Sequence, residues 1–125
     1  MTTGSSMRFV RDLAPYAEPV SVDALVDGST YFSVTFVDDD MLIPVVQTLV
    51  YIGRDLNPGD RGFIYFQDVD SYLQGIRHSS AKKDDDAMFV VVAKDKLNNV
   101  FEYEPALDVL IRCLLRRKSL GRRVD

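Results

Sequence analysis

The seven residues Tyr31–Val37, "YFSVTFV", alternate strictly. Phe32, Val34 and Phe36 point one way, and Ser33 and Thr35 the other. A period of two places apolar side chains on one face of an extended chain, which predicts a half-buried β-strand. A helix would scatter the same residues around its circumference. The chain must therefore supply further strands and a layer to cover the apolar face.

Further strands are legible. Val45–Ile52 is rich in β-branched residues, and Gly53 ends or bulges it. "LNPGDRG" reads as a turn: Pro58 fixes φ at the first corner and Gly59 supplies the positive φ that a type II turn needs next. Gly62–Gln67 and Met88–Ala93 are apolar on both faces, as strands covered on both sides are. The first 28 residues are irregular, with Pro15 and Pro19 breaking any helix.

The C-terminus changes period. Pro105 suits a first helical turn, and Leu107, Leu110, Ile111 and Leu114 recur at i, i+3, i+4, i+7, with Ala106 and Cys113 beside them. Asp108, Arg112 and Arg116 line the opposite stripe. This predicts an amphipathic helix of about 14 residues, packed on the sheet by its leucine face. Leu97–Tyr103 reads as a short helical turn leading into it. The expected fold is α+β: a small, strongly bent antiparallel sheet of the SH3-like or half-barrel sort, four to five strands, and one C-terminal amphipathic helix. Residues 1–8 read as a flexible leader, 9–119 as a single domain and 120–125 as a basic flexible tail.

Composition excludes several classes. At 125 residues the chain forms one domain with a real core. One cysteine, Cys113, excludes an intrachain disulfide, and one cysteine with one histidine excludes a zinc cluster. No apolar run reaches the roughly 18 residues of a membrane span. The start lacks the basic-then-apolar order of a signal peptide, so a cytoplasmic protein is expected. Charge is unevenly spread. Residues 1–111 hold 9 basic and 18 acidic side chains, a net of −9; residues 112–125 hold 6 basic and 1 acidic, a net of +5. An acidic body repels nucleic acid and attracts basic proteins.

The acids cluster. Asp38, Asp39 and Asp40 interrupt "FVDDDMLIP", and Asp84, Asp85 and Asp86 follow two lysines in "SAKKDDDAMF". Neither the run from Asp38 nor the run from Asp68 keeps the spacing of a calcium loop: Leu42 and Ile43 stand where an acid and a glycine belong, and Tyr72 replaces a ligand in the second. The triplets therefore read as solvated turns or partner-facing acids, and no metal or cofactor is expected. His78 with Ser79 or Ser80 and an aspartate makes a weak triad, because such sets are assembled from distant segments. Cys113 lies by the helix's apolar face and reads as a buried thiol. No catalytic residue is assigned. In "YFQDVDSYLQG" aromatic and apolar residues alternate with acids and amides, the chemistry of a protein-binding rim. The expected partner-binding residues are Asp38, Asp39, Asp40, Asp68, Asp70 and Tyr72. The alternative is a nucleic-acid site at Arg116, Arg117, Lys118, Arg122 and Arg123, with Tyr51, Tyr65 and Phe66 as stacking faces.

The runs "YFSVTFVDDDMLIPVVQTLVYIGRDL" and "YFQDVDSYLQGIR" resemble a small family of bacterial proteins similar to the immunity proteins of contact-dependent inhibition and polymorphic toxin systems. The resemblance covers roughly residues 30 to 118 and transfers no catalytic residue. It implies a cytoplasmic, non-enzymatic domain that masks a basic, nuclease-type toxin with acidic groups. Membrane is not an expected partner, and nucleic acid ranks behind protein.

Overall fold

Thr30–Phe36 forms β1, and its continuous pairing with β2, Pro44–Arg54, opens the sheet. β3 is Phe63–Asp68, α1 Val69–Leu73, β4 Phe89–Ala93, β5 Val100–Phe101 and α2 Tyr103–Val124. The structure is a computed structural model that describes residues 6–82 and 85–124, the last three by backbone only. All four strand pairings are antiparallel and the order is β4-β3-β2-β1-β5. The fold is α+β, with an open five-stranded sheet and one long C-terminal helix.

Alternation along the strands sends side chains to two separate cores. On one face Tyr31, Leu49, Tyr51, Ile64 and Phe66 pack with Val20 and Leu97. On the other, Val34 and Phe101 pack with Ala106 of α2. Each fully buried side chain of this kind contributes about 1.5–3 kcal/mol. The pairing slips between Tyr51 and Gly53, where Gly53 has φ 135° and a Cβ would sit 3.0 Å from Leu56. Glycine thus makes the bulge there. The turn after it follows the sequence: Asp60 N–H donates to Asn57 C=O across Pro58 and Gly59.

The helix departs from expectation in length, face and approach. It has 22 residues, and it runs through Val124 over most of the stretch read as a tail. Pro105 falls in its first turn as predicted. The sheet-facing residues are Ala106, Val109, Leu110 and Cys113. Leu107, Ile111 and Leu114 are 46%, 41% and 49% exposed, whereas Asp108 is 2% exposed. The leucine face is therefore not the packed face. Small residues at 106 and 113 let α2 lie close on β1 and β5, and the larger side chains fall to its flank. Between Lys94 and Tyr103 the chain forms a 3-10 turn at Lys94–Lys96 and the short β5 instead of one helical turn. No helix among the described residues is long and apolar enough to cross a membrane.

Candidate functional site

In an antiparallel meander the first and third connections share one end of the sheet. Here β1–β2 turns through residues 37–43, and β3–β4 connects through residues 69–88. Asp38, Asp39 and Asp40 in the first and Asp68, Asp70, Asp85 and Asp86 in the third therefore lie toward the same end, offset along β2 because Asp68 pairs opposite Leu49. The opposite end, with the β2–β3 turn, mixes Arg54 and Arg61 with Asp55 and Asp60.

Each acidic cluster divides into an aspartate that builds its turn and aspartates that face water. Asp38 accepts from Leu42 N–H at 3.1 and 3.0 Å and from Ile43 N–H at 2.9 Å. Desolvation alone would raise its pKa; these N–H groups and the charge of Arg116 outweigh it, and the net direction is down. Asp68 caps α1, accepting from Ser71 N–H at 2.9 Å and Ser71 Oγ at 2.5 Å, and also holds Met88 N–H at 2.8 Å. Its desolvation is likewise outweighed, by Ser71 and Met88, and its pKa is lowered. Asp85 accepts from Lys82 N–H at 2.7 Å. Asp39, Asp40, Asp70 and Asp86 are exposed, and their carboxylates accept no hydrogen bond among the described residues.

The two ends of the charge asymmetry meet at the first of these turns. Arg116 donates to Met41 C=O through Nε at 3.0 Å and Nη2 at 2.7 Å, and Arg117 Nη1 donates to Leu42 C=O at 3.0 Å. Cys113 Sγ lies 3.4 Å from the same Leu42 oxygen. Three side chains of α2 thus clasp the acidic loop by its backbone. Of the basic residues proposed for nucleic acid, Arg116 and Arg117 are engaged in this way and Lys118 is exposed. The side chains of Arg122 and Arg123 lie outside the described residues.

Tyr72 is half-buried. Its ring lies 4.0 Å beneath the Arg77 guanidinium, and its hydroxyl reaches the space beside Gly28. Its neighbour Leu73 is 77% exposed. Leu73 and Met88 line a cavity of about 570 Å³ with Asp68, Asp70 and Asp86. Ile43, Val45 and Val46 are also half-exposed, at the same end of the sheet. Exposed apolar side chains bordered by carboxylates make a surface suited to a basic, partly apolar partner. Sequence reading places Leu73 in the rim segment and Asp86 in an acidic triplet, but misses Val45 and Met88, which only the strand order brings to this end of the sheet.

The remaining chemistry-bearing residues are dispersed. His78 packs edge-to-face between Tyr65 and Phe89, both centroids at 5.2 Å. Tyr65 OH donates to Asp60 and accepts from Asn57 Nδ2 at 3.0 Å. Buried Gln67 donates to Ser71 Oγ and Ile76 C=O at 2.8 and 2.9 Å, and its buried Oε1 has no hydrogen-bond partner among the described residues. Among the described residues no group of three or more His, Cys, Asp or Glu side chains is placed to hold a metal ion.

No protein-family model, curated protein or solved structure matches this chain.

Proposed function

We propose that this chain is a non-enzymatic protein-binding domain, an immunity protein that binds and neutralises a nuclease-type bacterial toxin in the cytoplasm. The observation that supports this reading is the acidic end of the sheet. Asp70 and Asp86 border exposed Leu73 and Met88 there, and Asp39 and Asp40 stand in the neighbouring loop with exposed Ile43. The carboxylates steer a basic surface into contact, and the apolar side chains hold it. A toxin that handles nucleic acid carries such a basic surface, and covering it blocks its substrate. Asp38, Asp68 and Asp85 act indirectly, by fixing the turns that present the others.

The test is affinity capture from the source bacterium with the full chain as bait, followed by binding kinetics at two salt concentrations. Asp39→Asn with Asp40→Asn and Asp70→Asn should slow association by about tenfold at low salt, and less at high salt. Leu73→Ala and Met88→Ala should instead speed dissociation, since apolar anchors set residence time. Recovery of RNA whose binding depends on Lys118, Arg122 and Arg123, and not on the aspartates, would replace this reading with the nucleic-acid one.

A further inference from the structure

β4 closes the sheet on one side, and its outer edge carries none of the usual protection. Its five residues, "FVVVA", contain no charge and no proline, and they pair with β3 without a bulge. Natural edge strands are blunted by such features, because an open edge is a template for another strand. The polarity of this edge is fixed by its neighbours. Asp68 N–H donates to Met88 C=O, and Lys94 N–H donates to Gly62 C=O, so even-numbered residues turn toward β3. Antiparallel alternation then turns the N–H and C=O of Phe89, Val91 and Ala93 outward. Among the described residues these groups have no hydrogen-bond partner, and Val91 is 49% exposed.

We propose that β4 pairs antiparallel with β4 of a second copy of this chain, joining two five-stranded sheets across a two-fold axis at Val91. The edge is self-complementary. With Val91 opposite Val91 of the second copy, Phe89 and Ala93 meet across the axis, and all outward groups are paired. Charge favours the same register. Asp85 and Asp86 precede the strand, and Lys94, Asp95 and Lys96, one net positive charge, follow it, all outside the paired five residues. Antiparallel pairing brings the lead of one copy, with Asp85 and Asp86, beside the exit of the other, with Lys94 and Lys96. A parallel arrangement would stack like charges. The pairing lies beyond the partner-binding reading and does not depend on it.

The interface is small, so association is weak and the test spans a wide concentration range. Sedimentation equilibrium of the full chain from about 5 to 500 µM should show a mass rising from 14.1 kDa toward the dimer. Val91→Pro removes only an outward N–H and should leave a monomer throughout, with its circular dichroism unchanged. Lys94→Glu with Lys96→Glu should weaken dimerisation by at least about threefold at low salt. Amide exchange gives a check free of substitution: the Val91 and Ala93 amides should gain protection as concentration rises, while those of Val90 and Val92 stay protected at all concentrations. A wild-type chain that remains at 14.1 kDa throughout overturns the proposal. So does a folded Val91→Pro variant that still dimerises, or protection at Val91 that ignores concentration.

Discussion

Arg11 and Asp108 stand 97 positions apart and meet in a two-pronged ion pair, Nη1 to Oδ1 at 2.6 Å and Nη2 to Oδ2 at 3.1 Å. Arg11 also reaches Glu104 through Nε at 3.1 Å. The pair fastens the N-terminal segment along the outer flank of α2. Val20 N–H, donating to Val100 C=O, continues that attachment along β5.

Breaking this pair from one side leaves an uncompensated charge against the helix. Arg11→Met should therefore lower the urea midpoint more than Arg11→Met combined with Asp108→Leu, which leaves no buried charge behind, Glu104 being exposed. Denaturation curves of wild type, both single variants and the double variant decide it. A double variant less stable than Arg11→Met alone would contradict the account.

The faces of α2 can be ranked by truncation. Leu110→Ala, on the packed side, should cost about 2 kcal/mol or more. Leu107→Ala and Leu114→Ala, both half-exposed, should each cost less than about 1 kcal/mol. Ala106→Leu should cost about 1–3 kcal/mol by overpacking against Val34 and Phe101. Chemical denaturation of the four variants gives the order.

Stability should fall in acid. Asp38, Asp68 and Asp108 all have native pKa values below their ordinary 3.8. For Asp108 the Arg11 hydrogen bonds dominate; for the other two, backbone and hydroxyl donors outweigh desolvation. A depressed native pKa contributes stability that is fully present above the unfolded value and lost as pH falls through the native one. The urea midpoint should thus be level at neutral pH and drop below about pH 4. Asp68→Asn should flatten that drop, measured from pH 7 down to pH 2.5.

Two non-glycine residues hold positive φ, Met41 at 58° and Asp55 at 53°. Asp55 offsets the strain by accepting from Gly62 N–H at 2.7 Å, whereas the Met41 side chain is half-exposed. Met41→Gly should be neutral or stabilising by up to about 1 kcal/mol, and Asp55→Gly should be destabilising. Paired thermal melts would show opposite shifts.

Much of this architecture is legible from residues alone. Alternation locates β1, and short β-branched or apolar runs bounded by turn residues locate β2 to β4, within one or two residues, because both signals are local properties of an extended chain. The helix face is not local. Residues 107, 110, 111 and 114 and residues 106, 109, 110 and 113 both satisfy i, i+3, i+4, i+7, and only the close approach to β1 and β5 chooses the second set. The burial of Asp108 depends on a partner 97 positions away. The division of labour among the aspartates was half visible. Asp68 stands three residues before Ser71, the spacing of a helix N-cap, yet α1 itself is only 5 residues and too short for periodicity to reveal.

The grip of Arg116 on Met41 spans 75 positions of chain. During synthesis the β1–β2 hairpin is complete long before the residues that clasp its loop have been made. Until they arrive, Asp38 can close the turn but nothing ties that turn to the rest of the domain. The loop that carries Asp39 and Asp40 is thus fixed to the domain by residues that are made last.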